Sequence, residues 1–419
     1  MSRRVLVGLV VCLCVATLDP GAVTAQPPVK LTFWSWRVED KWAYDKMIQV
    51  FEQRNPGIQV EFVPFKQTEY NTILSSALTG GKGPDIIHLR AYGGLETFSA
   101  AGFVAPLDFD TVPELKTFSR QMLDGARGRK DGKLYGVPFA SQTIVVYYNK
   151  KIFSQAGVSI PKSWDEFLSV CKTLKDKGVV PIANGAKEGW TLELMAGAVA
   201  PNFYGGTVFY DAVTSGHTSF KDPTYTNALA RMLDLRPYMH PNFMGVDYAT
   251  MQQLFLNEQA AMFMGGSWEI GFFKAQNKAL DFDVFATPPL RGGQVPWVSS
   301  FNDGNYGINA RTPSLDAALK FIRFTATREF GQMFTDMLAQ TSAVPGVVIT
   351  DPILKHVQEM NRKATPYMML VGFRWQAPTG STLLQSALQG MMAGQETPEQ
   401  VGDEVTRGLS AWFEPFRGR

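Results

Sequence analysis

The sequence predicts an α/β protein made of two units, and two patterns carry that expectation. From Leu31 to Leu89, short apolar runs of strand character alternate with helical periods, and the same grammar resumes after about residue 140. Alternation of strand and helix implies parallel sheets with helices on both faces. Scale agrees: 419 residues, 45% hydrophobic and 12% aromatic, exclude a disordered chain. A chain of that length suits two or three domains of ~100–200 residues each.

The chain opens with Arg3 and Arg4, then an almost wholly apolar run from Val5 to Leu18, broken by Asp19-Pro20-Gly21. Val23-Thr24-Ala25 places small residues where a signal peptidase needs them, so residues 1–25 are expected to be a cleaved signal peptide and Gln26 the mature start. The run is short of the ~20 residues that cross a bilayer. Cys12 and Cys14 lie inside it without the setting of a lipid-anchor cleavage site, so the expected location is the periplasm. The mature chain then holds Cys171 alone, and no intrachain disulfide can form. Forty Lys plus Arg stand against 38 Asp plus Glu, a balance that argues against nucleic acid or a membrane surface as partner.

Each element follows in turn. Leu31–Trp36 reads as a buried strand; Tyr44, Met47, Ile48 and Phe51 recur at helical spacing until Asn55-Pro56-Gly57 stops them. Ile58, Val60 and Phe62 alternate as a strand. Tyr70, Ile73, Leu74, Ala77 and Leu78 form a second amphipathic helix, ended by the turn at 80–84, and Asp85–Leu89 is the next buried strand. Beyond residue 140, Ile144–Tyr148 is a strong strand. Ser163 with Glu166 has the spacing of a capping box, opening a helix whose apolar face holds Phe167, Val170, Cys171 and Leu174. Cys171 is therefore expected in the core rather than reactive. Thr312-Pro313 and Thr397-Pro398 each start a further helix.

Catalytic signatures fail on spacing. Gly265-Gly266-Ser267-Trp268-Glu269 begins like a nucleophile elbow but has Glu269 where the closing glycine belongs. Gly80-Gly81-Lys82-Gly83 lacks the Ser or Thr after the lysine, and Pro84-Asp85 follows where a phosphate loop would open a helix. His88, His217, His240 and His356 are scattered without a second ligand at metal-binding spacing. No cofactor, metal or catalytic residue is expected, although a pair of carboxylates acting on a glycoside is not testable by spacing alone. What stands out is aromatic. Trp36, Trp190, Trp268, Trp297 and Trp375 sit beside turn signals. Flat rings receive the apolar faces of sugars, while Asp, Glu, Asn, Gln and Arg receive the hydroxyls with direction.

Several segments taken together resemble a known family. LTFWSW with FEQRNPGIQVEFVPF, LTGGKGPDIIHL, LETFSAAGFVAPLD, DGKLYGVPFASQTIVVYYNKKIFSQAGVSIPKSWDEF, FLNEQAAMFMGGSW and ALQGMMAGQETPEQVGDEVTRGL occur in one order from about residue 30 to 415. That order is similar to the bacterial extracellular solute-binding proteins of family 1, the carbohydrate-binding components of ABC importers. The resemblance implies a two-lobed periplasmic-binding-protein fold, each lobe a mainly parallel sheet with helices on both faces and the ligand cleft at the hinge. It places residues 26–140 with 305–350 in lobe one and 141–304 with 351–419 in lobe two.

The implied function is capture of a carbohydrate by hinge closure and delivery to the transmembrane permease subunits of an ABC importer, with no turnover. A monomer suits that mechanism. The alternatives are a secreted carbohydrate-active enzyme, a sensory partner of a membrane receptor, or a binding protein for a sugar phosphate or glycerophosphodiester. Expected ligand contacts are Trp36, Gln67, Glu69, Arg90, Tyr92, Gln142, Trp190, Trp268, Asn302, Asp303, Arg374 and Trp375, with Trp268 foremost because a Gly-rich turn exposes its ring. Trp34 and Asp85 are expected to be structural. If Arg90 and Arg374 both face the cleft, an acidic or phosphorylated sugar is implied.

Overall fold

The computed structural model describes residues 27–418. The expected signal segment, with Cys12 and Cys14, lies outside the described residues. No helix among the described residues is long and apolar enough to cross a membrane.

Among the described residues, ten strands form one curled sheet: β1 (Val29–Ser35), β2 (Ile58–Pro64), β3 (Ile86–Arg90), β4 (Val137–Asn149), β5 (Val180–Ile182), β6 (Ala260–Gly266), β7 (Phe282–Phe285), β8 (Val298–Ile308), β9 (Thr341–Ser342) and β10 (Ala364–Pro366). Their order is β2-β1-β3-β8-β4-β6-β5, with β10 beside β8 and both β7 and β9 beside β4. Toward each end the pairing is parallel, β1 with β2 and β3, and β5 with β6. In the middle the main pairings are antiparallel, β8 against β3 and β4 and β4 against β6 and β7, while the short β10 runs parallel to β8. The reason is directional. β4 carries the chain out of the first lobe and β8 carries it back, so as neighbours they can pair only antiparallel.

The apolar cores mark the change of lobe. Leu31, Phe33, Tyr44, Phe51 and Ala140 belong to one core, together with Tyr306, Ile308 and Phe334. From Ile144 onward, β4 faces two other cores. Ile144 and Val146 join Trp164, Phe167 and Met262 on one face, while Val145 and Tyr147 join Phe255, Phe263 and Phe273 on the other. A strand covered on both faces has no solvent side, which is why Ile144–Tyr148 is continuously apolar rather than alternating. On β8 the switch falls between Phe301 and Tyr306.

Local expectations hold with instructive shifts. The helix Lys41–Arg54 buries Tyr44, Met47, Ile48 and Phe51, and Cys171 is fully buried, its thiol pushed up to about 12 by desolvation. Ser163 does cap the helix Trp164–Asp176, accepting from Glu166 N. Glu166, however, reaches Lys162 N at 2.7 Å instead of the cap residue itself, so the box closes one residue early. A full reciprocal box forms at Thr397 and Gln400. The helix expected at Thr312-Pro313 starts at Leu315 instead, because the Thr312 hydroxyl donates to Asp85 Oδ1 at 2.6 Å. Asp85 also accepts from Thr32 N at 2.8 Å, and so ties β1, β3 and the chain after β8 together.

A candidate ligand-binding cleft

A cavity of about 720 Å³ opens between the lobes at the carboxyl end of β3 and beside the crossing strands. Pockets of roughly 300–1,000 Å³ are typical of small-molecule sites. Its two sides differ in chemistry.

The side formed after residue 140 is aromatic. Trp190, in the helix Gly189–Val199, lies 4.5 Å from Tyr248, and Trp268 Nε1 donates to the Tyr248 hydroxyl at 2.8 Å. Trp268 meets Phe301 edge-on at 6.4 Å, and Phe301 packs on Tyr367 at 5.2 Å. Five rings from five separate segments thus make one continuous wall. Glu193 stands beside it, buried on an otherwise apolar helix. It accepts from Ser381 Oγ at 2.8 Å and Gln385 Nε2 at 2.5 Å, with Arg374 Nη2 at 3.5 Å.

The opposite side is polar. Arg37 is paired with Asp40 at 2.7 Å, with Glu39 at 3.5 Å and Asp303 at 3.7 Å. Burial opposes its charge, but Asp40, Glu39 and Asp303 outweigh burial and hold the guanidinium above its ordinary pKa. Burial raises the Asp303 carboxyl, with Arg37 and Arg90 opposing. At the hinge Gln142 Nε2 donates to Asp303 Oδ2 (3.2 Å) and Gln340 Oε1 (2.8 Å), while Ser267 Oγ donates to Gln142 Oε1 at 2.7 Å. One polar network therefore links the loop after β1, the crossing strands β4 and β8, Gln340 beside β9, and the turn after β6.

Of the expected contacts, Trp36, Gln67, Arg90, Trp190, Trp268, Asp303 and Arg374 line this cleft. Trp36 is only 4% exposed, packed on His88 at 4.1 Å with Arg90 over its ring at 4.4 Å, so it offers the cleft little ring surface. Trp34, expected in the core, packs half-buried on Phe65. Five expected residues do not line the cleft. Glu69 is exposed at the start of the helix Tyr70–Thr79. Gln142 is the fully buried hub of the hinge. Asn302 points the other way from Asp303, donating to Met122 O at 3.0 Å, as strand alternation requires. Tyr92 and Trp375 line a separate 480 Å³ groove, where Arg129 lies 5.1 Å over the Trp375 ring.

A backbone contact separates the two spaces. Gly93 sits against Arg374, so close that a Cβ there would lie 2.0 Å from the Arg374 carbonyl oxygen. Arg90 and Arg374 lie on the cleft side of this contact; Tyr92 and Trp375 lie on the groove side. Tyr92 is held at φ 56°, ψ −126°, a sparsely populated conformation for a residue with a side chain, and its hydroxyl accepts from Asn302 N at 3.4 Å.

Sequence reasoning missed Arg37, Glu39, Glu193, Tyr248, Gln252 and Tyr367. One of them had a signal, since Glu193 is the lone carboxylate in the apolar run Gly189–Val199, and buried unpaired carboxylates are avoided. The others depend on which distant segments fold together.

Glu269 lies behind the aromatic wall, 1% exposed, accepting from Gln252 at 2.9 Å. Burial first, then the Glu39 charge, raise its carboxyl well above the ordinary range. A raised carboxyl contributes stability below its unfolded pKa of ~4.3 and loses it as pH climbs through the folded value. Glu269→Gln is therefore expected to gain in urea midpoint on the wild type as pH rises from 5 to 8. Parallel midpoints across that range would contradict this account.

The family model for bacterial extracellular solute-binding proteins matches residues 36–331. The multiple sugar-binding protein of Streptococcus mutans is 26% identical over 354 residues, covering 82% of this chain and 82% of that protein. The maltotriose-binding protein of Pyrococcus abyssi is 27% identical over 339 residues, 78% of this chain and 69% of that one. Among solved structures, a chitin oligosaccharide binding protein superposes with a TM-score of 0.79 at 25% identity, covering 92% of this chain and 99% of that one. The two-lobed fold, the cleft between the lobes and a family match over well more than half of the sequence lead to one conclusion: this chain belongs to the bacterial extracellular solute-binding proteins.

Proposed function

We propose that this protein captures a carbohydrate reversibly in the interlobe cleft and delivers it to the permease of an ABC importer without turning it over. In this reading residues 26–140 with 305–350 close against 141–304 with 351–419, the signal peptide having exported the chain to the periplasm, where it acts as a monomer. The observation that carries the reading is the asymmetry of the cleft. Three part-exposed rings, Trp190, Tyr248 and Trp268, backed by the buried Phe301 and Tyr367, face a wall of directional polar groups, which matches a sugar's apolar faces and hydroxylated edges. The names of the relatives from Streptococcus mutans and Pyrococcus abyssi point to the same ligand class. Against an enzyme stands the state of the cleft carboxylates. Glu193 already accepts from Ser381 and Gln385, Asp303 from Gln142 with Arg37 beside it, and Glu39 lies 3.5 Å from Arg37; all three cleft carboxylates are engaged by the protein's own groups.

Thermal unfolding of the mature protein against mono- and oligosaccharides, sugar acids and glycerophosphates tests this. A ligand bound only by the folded state adds about 2.7 kcal/mol of stability at a hundredfold excess over Kd. A large shift with one saccharide class, the saccharide recovered intact, is the expected result; a hydrolysed product, or shifts only with non-sugars, overturns it. Trp268→Ala removes the ring at the centre of the wall. It is expected to weaken that saccharide by about 10- to 100-fold, or roughly 1.4–2.7 kcal/mol, while the half-buried position spares the fold. An unchanged Kd by titration calorimetry would place the ligand elsewhere.

A further inference from the structure

Four cations line the cleft: Arg37, Lys66, Arg90 and Arg374. Three of them have a carboxylate at hand. Arg37 is paired with Asp40 at 2.7 Å, Arg374 has Glu193 at 3.5 Å and Ser381 at 2.5 Å, and Lys66, exposed at the mouth, lies 3.9 Å from Glu69. Among the described residues, Arg90 has no carboxylate within ion-pair distance. Its one close partner is the Trp36 ring, 4.4 Å below the guanidinium. Asp303 acts on it only at longer range, and Arg374 opposes it: burial and the Arg374 charge bring Arg90 down to about 10, still protonated at neutral pH.

A half-buried guanidinium without a counterion is costly, and a second guanidinium facing the same space raises that cost. Both costs are relieved by an anion placed between the two. The planar fork of arginine suits this, because it binds carboxylate or phosphate oxygens in pairs. The two groups also come from opposite sides of the cleft, Arg90 at the end of β3 and Arg374 after β10, so an anion held by both would favour closure.

We propose that the preferred ligand is a saccharide bearing an anionic group, a carboxylate or a phosphate, seated between Arg90 and Arg374; this rests on the carbohydrate reading above. Titration calorimetry on the mature protein would compare mono- to tetrasaccharides of uronic acids, the same saccharides with their carboxyls reduced, and sugar phosphates. At least tenfold tighter binding of an anionic form over its neutral counterpart is expected. That preference should shrink as salt rises from about 20 to about 500 mM, over which the Debye length falls severalfold. Arg90→Gln should bring the ratio toward one, and Arg90→Lys, which keeps the charge and loses the fork, should lie between. If Arg90→Gln does not fold, the salt dependence of the wild-type preference decides the matter alone. Uronates binding ahead of phosphates, or the reverse, identifies the source of the anion. Neutral saccharides binding as tightly as their anionic forms would overturn this proposal and leave the carbohydrate reading standing. If no saccharide binds, both fall.

Discussion

Asp40→Ala is expected to cost about 3 kcal/mol of stability, the lower end of what removing one partner of a buried ion pair does. Asp40 is 5% exposed and Arg37 4%, and their 2.7 Å contact is the shortest that Arg37 makes with a carboxylate. Without Asp40 a buried guanidinium keeps only Glu39 at 3.5 Å and Asp303 at 3.7 Å, and Gln340 loses its 3.5 Å contact to the same carboxylate. Replacing both partners together, Arg37→Met with Asp40→Leu, should restore only part of the loss, because Glu39 and the buried Asp303 then lose the cation they share. Urea unfolding of the ligand-free proteins, followed by tryptophan fluorescence, measures this. A loss below about 1 kcal/mol for Asp40→Ala would mean the pair is solvated rather than buried.

Gly93→Val is expected to weaken ligand binding by about 100-fold through the lobes rather than through any ligand contact. The added Cβ would fall 2.0 Å from the carbonyl oxygen of Arg374, 2.2 Å from its carbon and 2.8 Å from Trp375 N. These are backbone atoms and cannot swing aside, so the segment carrying Arg374 must move outward. Arg374 is then drawn away from the cleft that it lines together with Arg90. A binding-competent state that is only fractionally populated lowers the apparent affinity by that fraction, and 100-fold corresponds to about 2.7 kcal/mol. The radius of gyration by small-angle scattering should rise with the loss of affinity. Gly57→Ala, where a Cβ meets nothing within 4 Å, is the control and should change neither. Full affinity in Gly93→Val would mean that this contact plays no part in closure.

How much of the site was legible depended on sequence distance. Trp268 could be placed because Gly265-Gly266-Ser267 ends a strand and turns immediately into a helix. Arg90 was expected from the family resemblance, which implies ligand contacts just after the Asp85–Leu89 strand, and it ends β3 on the lining of the cleft. The errors came where one residue of register decides the face. Asn302 and Asp303 are neighbours on β8, yet one reaches Met122 and the other the cleft. Arg374 and Trp375 are likewise adjacent and lie on opposite sides of the Gly93 contact. Gln142 has the composition of a ligand contact, but its position at the crossing of β4 gives both of its amide groups to the hinge.

The sequence by itself determined the α/β class, the buried strands and helix faces, and the inert position of Cys171. These follow from local propensity and hydrophobic period, which act over a few residues. Only the tertiary structure decided that β4 and β8 pair antiparallel as the crossings, that five rings from five segments form one wall, and that Arg90 and Arg374 line the same cleft. Those are contacts between segments up to hundreds of residues apart, set by how two cores pack around shared strands, and no local pattern encodes them.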